Sequence, residues 1–174
     1  MRSSIVAAMV FSISLISPHS FAYSADSSDW PANMRDYDRA MDAAVDGEEP
    51  ENLLIGVTSA RAPDSQNGLE SLTRARQTLQ RMIASVKKIE PTGELAISHE
   101  KFVAYLSSLE KALDTPLSQG EKVKTSPALS GCLVALREYY REARSALIRM
   151  GGPQGDIDAL QARVGEITRI LGDK

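Results

Sequence analysis

Few residues of this chain combine type and spacing in a way that could do chemistry. His99 is the single histidine downstream of residue 22. It falls on an apolar helical stripe, four residues after Leu95 and three before Phe102. An imidazole held inside a helical bundle can ligate haem iron, often with a methionine opposite. Met34, Met41, Met82 and Met150 are the available thioethers. The same position suits a buried histidine that hydrogen-bonds a neighbour and does nothing more. Attachment of a c-type haem needs Cys-x-x-Cys-His, which the sequence lacks. A di-iron bundle site needs Glu-x-x-His pairs, whereas Glu94 is five residues before His99 and Glu100 adjoins it. His99 stays the one cofactor-binding candidate, and the expectation is a chain without cofactor, metal site or catalytic residue.

Cys132 stands next to the apolar position Leu133. Free cysteines are among the most buried residues, so a small core side chain is expected there. A nucleophile would need His99 beside it and a third orienting group, and the two residues lie on different helices. An intermolecular disulfide is the other reading in an oxidising compartment. Asp42 and Asp46 hint at a calcium loop, but Ala44 and Leu53 occupy its third and twelfth positions, where oxygen ligands belong. No Gly-rich phosphate loop, Gly-x-Ser-x-Gly or His-Glu-x-x-His occurs. Tyr139 and Tyr140 read as core. An enzyme is not expected.

Charge offers more. Between residues 23 and 51 there are nine acidic residues against Arg35 and Arg39. Between residues 61 and 90 there are six basic residues against three acidic ones. Both stretches suit solvated helix faces. They also suit an acidic N-terminal helix docked on a basic one, or an acidic patch for a basic partner. Trp30, Asp36, Asp42 and Asp46 are the partner-binding candidates. The whole chain carries 20 Lys and Arg against 23 Asp and Glu, net −3, and loss of Arg2 makes that −4. That balance and 5% aromatics argue against nucleic-acid binding.

The elements that must position these residues show in the apolar spacing. Leu72, Ala75, Leu79, Met82, Val86 and Ile89 alternate three and four apart. So do Leu95, His99, Phe102, Leu106, Leu109 and Leu113. Leu129, Leu133, Leu136, Tyr140, Ala143, Leu147 and Met150 make a third stripe, and Ile157, Leu160, Val164, Ile167 and Leu171 a fourth. Such spacing lines one helical face, and four stripes must bury one another. Pro91 and Gly93 make a short turn, so the first two helices should be antiparallel. Pro116 ends the second, Pro127 starts the third with Ser126 as its N-cap, and Gly151-Gly152-Pro153 stops it. Asp156 is expected to cap the fourth. A shorter helix over residues 31–45 would turn Met34, Tyr37, Met41 and Ala44 inward, with Pro31 in its first turn. Pro50, Pro63 and Gly68 make residues 47–68 read as linker.

The N-terminus sets the compartment. Arg2, an apolar run over residues 5–16, Pro18 and small residues at Ser20 and Ala22 read as a secretory signal peptide. The run is too short for a span of about 20 residues, so no membrane span is expected in the mature chain. One cysteine and no Asn-x-Ser/Thr acceptor favour the bacterial periplasm, with release from the cell as the alternative. Leu72-Thr73-Arg74-Ala75-Arg76 resembles the Leu-Thr-x-x-Gln motif of small periplasmic helical chaperones, with Arg76 where that motif has Gln. A single altered copy does not assign the family.

The expected architecture is all-α: a signal peptide over 1–22, an acidic helix and linker over 23–68, and an antiparallel four-helix bundle over 69–172. The expected function is binding, as an adaptor, chaperone-like or inhibitor protein meeting an envelope or secreted protein partner. The chain would act as a monomer or homodimer. The alternative is a small-molecule or haem binder using His99.

Overall fold

The computed structural model describes residues 31–45, 66–91, 93–114 and 127–172. Five helices account for most of them: α1 (Ala32–Val45), α2 (Gln66–Val86), α3 (Leu95–Asp114), α4 (Pro127–Arg149) and α5 (Gln154–Leu171). The described residues contain no strand. The expected signal peptide, Trp30, Asp46 and the linker up to residue 65 lie outside the described residues.

Each helix packs most closely on its neighbour in sequence, with α3 and α4 the most intimate pair. Cross-helix contacts give the directions. Glu94 at the start of α3 meets Arg149 at the end of α4, and Ser108 meets Cys132 further down. Gln80 on α2 donates to Glu110 on α3 at 2.9 Å. Those pairings run α2, α3 and α4 up and down in alternation. α1 packs on α2.

The apolar stripes are the core. Leu79, Val86, Phe102, Leu106, Leu109, Leu136, Tyr140, Leu147 and Ile167 are all sealed from solvent. Residues flanking the stripes join them: Ile83, Tyr105, Ala112, Cys132, Tyr139 and Ala146 are buried as well. Each buried face is therefore wider than a two-position seam, as a globular helix requires. Phe102 stacks against Tyr105 and Tyr139, and Tyr139 against Tyr140, with ring centroids 5.0–6.1 Å apart. This aromatic cluster joins α3 to α4.

Helix ends follow local chemistry, with two differences from expectation. α4 closes in a Schellman motif: Gly152 N–H donates to Leu147 O at 2.9 Å and Gly151 N–H to Ile148 O at 3.1 Å. Gly151 takes φ +71°, a left-handed conformation that glycine adopts without a Cβ penalty. α5 starts before Asp156, with Pro153 at its N-cap and no side-chain cap. Asp156 instead lies buried in the first turn, where a carboxylate favours the helix dipole. Gly68, read from sequence as a breaker, lies inside α2. One glycine costs a helix only about 1 kcal/mol, less than the burial of the stripe that follows.

No described helix is long and apolar enough to cross a membrane.

Candidate functional site

His99 and Tyr37 meet at a junction of three helices. His99 is the second buried polar residue of α3, after Ser98, one turn into the helix. Ser98 satisfies itself on the Leu95 carbonyl at 2.9 Å. His99 reaches outward from α3. Its Nδ1 lies 3.0 Å from the Tyr37 hydroxyl of α1. Its ring also hydrogen-bonds the backbone carbonyl of Val86, the last residue of α2. One imidazole thus ties three helices.

The two contacts fix the tautomer. Burial, and then the negative charge of Asp38, hold the Tyr37 hydroxyl protonated far above the ordinary tyrosine range. A protonated hydroxyl can give or take a hydrogen bond, so the Val86 contact decides, and it leaves Nδ1 to accept from Tyr37. A carbonyl only accepts, so the remaining nitrogen, Nε2, carries the proton toward Val86. Val86 ends helix α2, and its carbonyl also accepts from the Ile89 N–H at 3.0 Å, so the histidine is its second partner. The rings of Tyr37 and His99 meet edge to face with centroids 5.8 Å apart. Burial lowers the pKa of His99, against a smaller opposite pull from the Val86 carbonyl. The resting ring is neutral.

These contacts bear on the candidates from sequence. Both ring nitrogens of His99 are engaged by Tyr37 and Val86, not by any of the four methionines. An iron would have to displace one of these bonds. Cys132 is buried and donates to the Ser108 carbonyl at 3.1 Å. Ser108 is nine residues along α3 from His99, about 13 Å at 1.5 Å per residue. The two groups do not form a dyad. Burial pushes the thiol pKa up to about 12, so the nucleophilic thiolate is suppressed. Among the described residues no three His, Cys, Asp or Glu side chains gather as a metal site would need.

The partner-binding candidates divide. Asp36 and Asp42 lie on the exposed face of α1. Asp36 pairs with Arg39 at 3.6 Å, both largely in water, and such pairs contribute about 0–1 kcal/mol. Met41 and Val45 form the buried face of the same helix. Met34, Tyr37 and Ala44 are half-buried against the core. Asn33, at the top of α1, comes within 3.9 Å of the Met150 sulfur at the end of α4.

Sequence reasoning placed Tyr37 on the inner face of α1 and His99 on a stripe but did not join them. Sixty-two residues separate the pair, and no local spacing rule spans that distance.

Comparisons of the chain with protein-family models, curated proteins and solved structures find no match.

Proposed function

We propose that this chain is exported to the bacterial periplasm and serves there as a binding or accessory protein. In this reading the first 22 residues are a signal peptide. Helices α2 to α5 close as an antiparallel four-helix bundle, and α1 presents the contact surface. The partner is another envelope or secreted protein, and the role is that of an adaptor, chaperone-like protein or inhibitor.

The observation that carries this is the way α1 is mounted. Only Met41 and Val45 of its fourteen residues are fully buried. Asp36 and Asp42 face outward, on a helix packed against α2. Such a helix adds modestly to the core while holding a mixed, net-acidic set of side chains outside, Asp36 paired with Arg39 and Asp42 one turn on. Fixed charge of one sign selects partners of the other and speeds their encounter. The occupied nitrogens of His99 leave the haem reading without a supporting observation.

The test is in-cell crosslinking of the full chain with a photo-reactive residue at position 36 or 42. Position 161, exposed on α5, is the control. One dominant envelope protein captured from α1 and not from α5 supports the reading. Equal capture from both faces, or none from α1, overturns it. Fractionation of the same cells tests export, and retention in the cytoplasm refutes the periplasmic assignment.

A further inference from the structure

We propose that His99 is a proton-operated latch for α1. Uptake of a second proton by its imidazole removes the acceptor that holds Tyr37 and releases α1 from its seat on the bundle.

The geometry makes His99 a buried polar tie between α1 and the rest, beside the exposed contact of Asn33 with the Met150 sulfur. α1 packs on α2, and its buried residues Met41 and Val45 lie near its C-terminal end. Nearer its N-terminal end, the Tyr37 hydroxyl bonds Nδ1 of His99. The neutral ring fits its place because one nitrogen gives to Val86 and the other receives from Tyr37. A proton arriving from solvent has one site to occupy, the Nδ1 lone pair. Nδ1 then becomes a donor facing a donor. The Tyr37 hydroxyl could turn and accept instead, but the imidazolium would still be a buried charge. Burial of a charge is costly without a counter-ion.

The surroundings supply little relief. From α1 the ring faces Tyr37, with Asp38 beside it in sequence. From α2 it faces the Val86 carbonyl, followed by exposed Lys87 and Lys88. On α3 its neighbour Glu100 is exposed, and Glu94 is engaged by Arg149 of α4. Burial outweighs every other influence on the ring, and the Val86 carbonyl is the next. The cheapest route to solvating the charged ring is to lift the helix that covers it. α1 is attached by the least core, so it moves while α3 and α4 stay packed. Local opening of weakly packed elements is a general property of folded domains. Lifting α1 bares the apolar surface beneath it, independently of whether the binding reading above is right.

The experiment is hydrogen exchange of the protein purified after expression of the full chain, at pH 7.5 and pH 5.0, corrected for intrinsic exchange rates. Protection of α1 amides is expected to fall tenfold or more at pH 5.0 relative to α4. His99→Gln keeps a neutral donor and acceptor and should abolish that difference. In parallel, an NMR titration should show α1 amide shifts following the imidazole with one midpoint, the His99 signal being assigned by its loss in H99Q. This second measurement stands if H99Q fails to fold. The proposal is overturned if α1 and α4 lose protection together, or if H99Q stays equally sensitive to pH. It is also overturned if the wild-type imidazole titrates without α1 responding, or does not titrate above pH 4.

Discussion

Among the described residues, the side chains of His99 and Cys132 carry the imidazole and thiol chemistry singled out from the sequence, and both are engaged in hydrogen bonds. Each is buried, and each bonds a backbone carbonyl of a neighbouring helix. Cys132 with a pKa near 12 would be ionised at pH 8 in only about one molecule in 10,000. A thiol reagent at pH 8 should therefore label it only as fast as the protein opens, and fully in denaturant. Rapid labelling of the native protein would contradict the burial. For His99 the folded pKa lies below its ordinary 6.5. As the pH falls the unfolded chain takes up that proton first. Stability is thus intact above about 6.5 and lost as the pH drops through the folded value. Urea midpoints measured between pH 7.5 and 5.5 should show this decline, and H99Q should flatten it. Tyr37→Phe removes the hydroxyl that Nδ1 accepts from, at an expected cost of about 1–3 kcal/mol for the unsatisfied buried acceptor.

At the scale of elements, two glycines test opposite expectations. A Cβ on Gly152 would stand 2.3 Å from Leu147 Cδ1 and 2.6 Å from its Cγ. Leu147 is sealed in the core and cannot swing away cheaply. Gly152→Ala should destabilise by about 1–3 kcal/mol, typical of overpacking. Gly165, inside α5, has open space around its Cβ position and no positive φ. Gly165→Ala should stabilise by about 0.5–1 kcal/mol through helix propensity alone. Chemical denaturation of both variants checks the pair: a stabilised Gly152→Ala would show the end of α4 to be misread, and a destabilised Gly165→Ala the open face of α5. Leu136→Ala and Leu106→Ala each remove a sealed side chain and should cost about 2–5 kcal/mol.

At the scale of the whole molecule, the packing is graded. The backbones run closest between α3 and α4, then between α4 and α5, and lie further apart toward α2 and α1. A gradient of this kind predicts an order of opening. In hydrogen exchange at neutral pH, α3 and α4 should be protected by the global unfolding free energy, and α1 should exchange first. Uniform protection across all the described helices would show that α1 is as firmly seated as the rest.

The sequence by itself determined the described helices, their inner faces and the end of α4, while the expected Pro116 stop and Ser126 cap lie outside the described residues. Three- and four-residue spacing is a local property, and Leu106, Leu136 or Ile167 has nowhere to go but inward. It also placed Tyr37 and His99 each on an inner face. It misjudged Gly68 and Asp156, because a helix boundary is a balance of small local preferences that tertiary burial can move by a turn. Only the tertiary structure decided that Tyr37 and His99 meet and that Cys132 faces Ser108 and not His99. Those outcomes depend on the rotation and height of one helix against another. These are set by the shapes of whole packed faces, and no single residue or short motif encodes them.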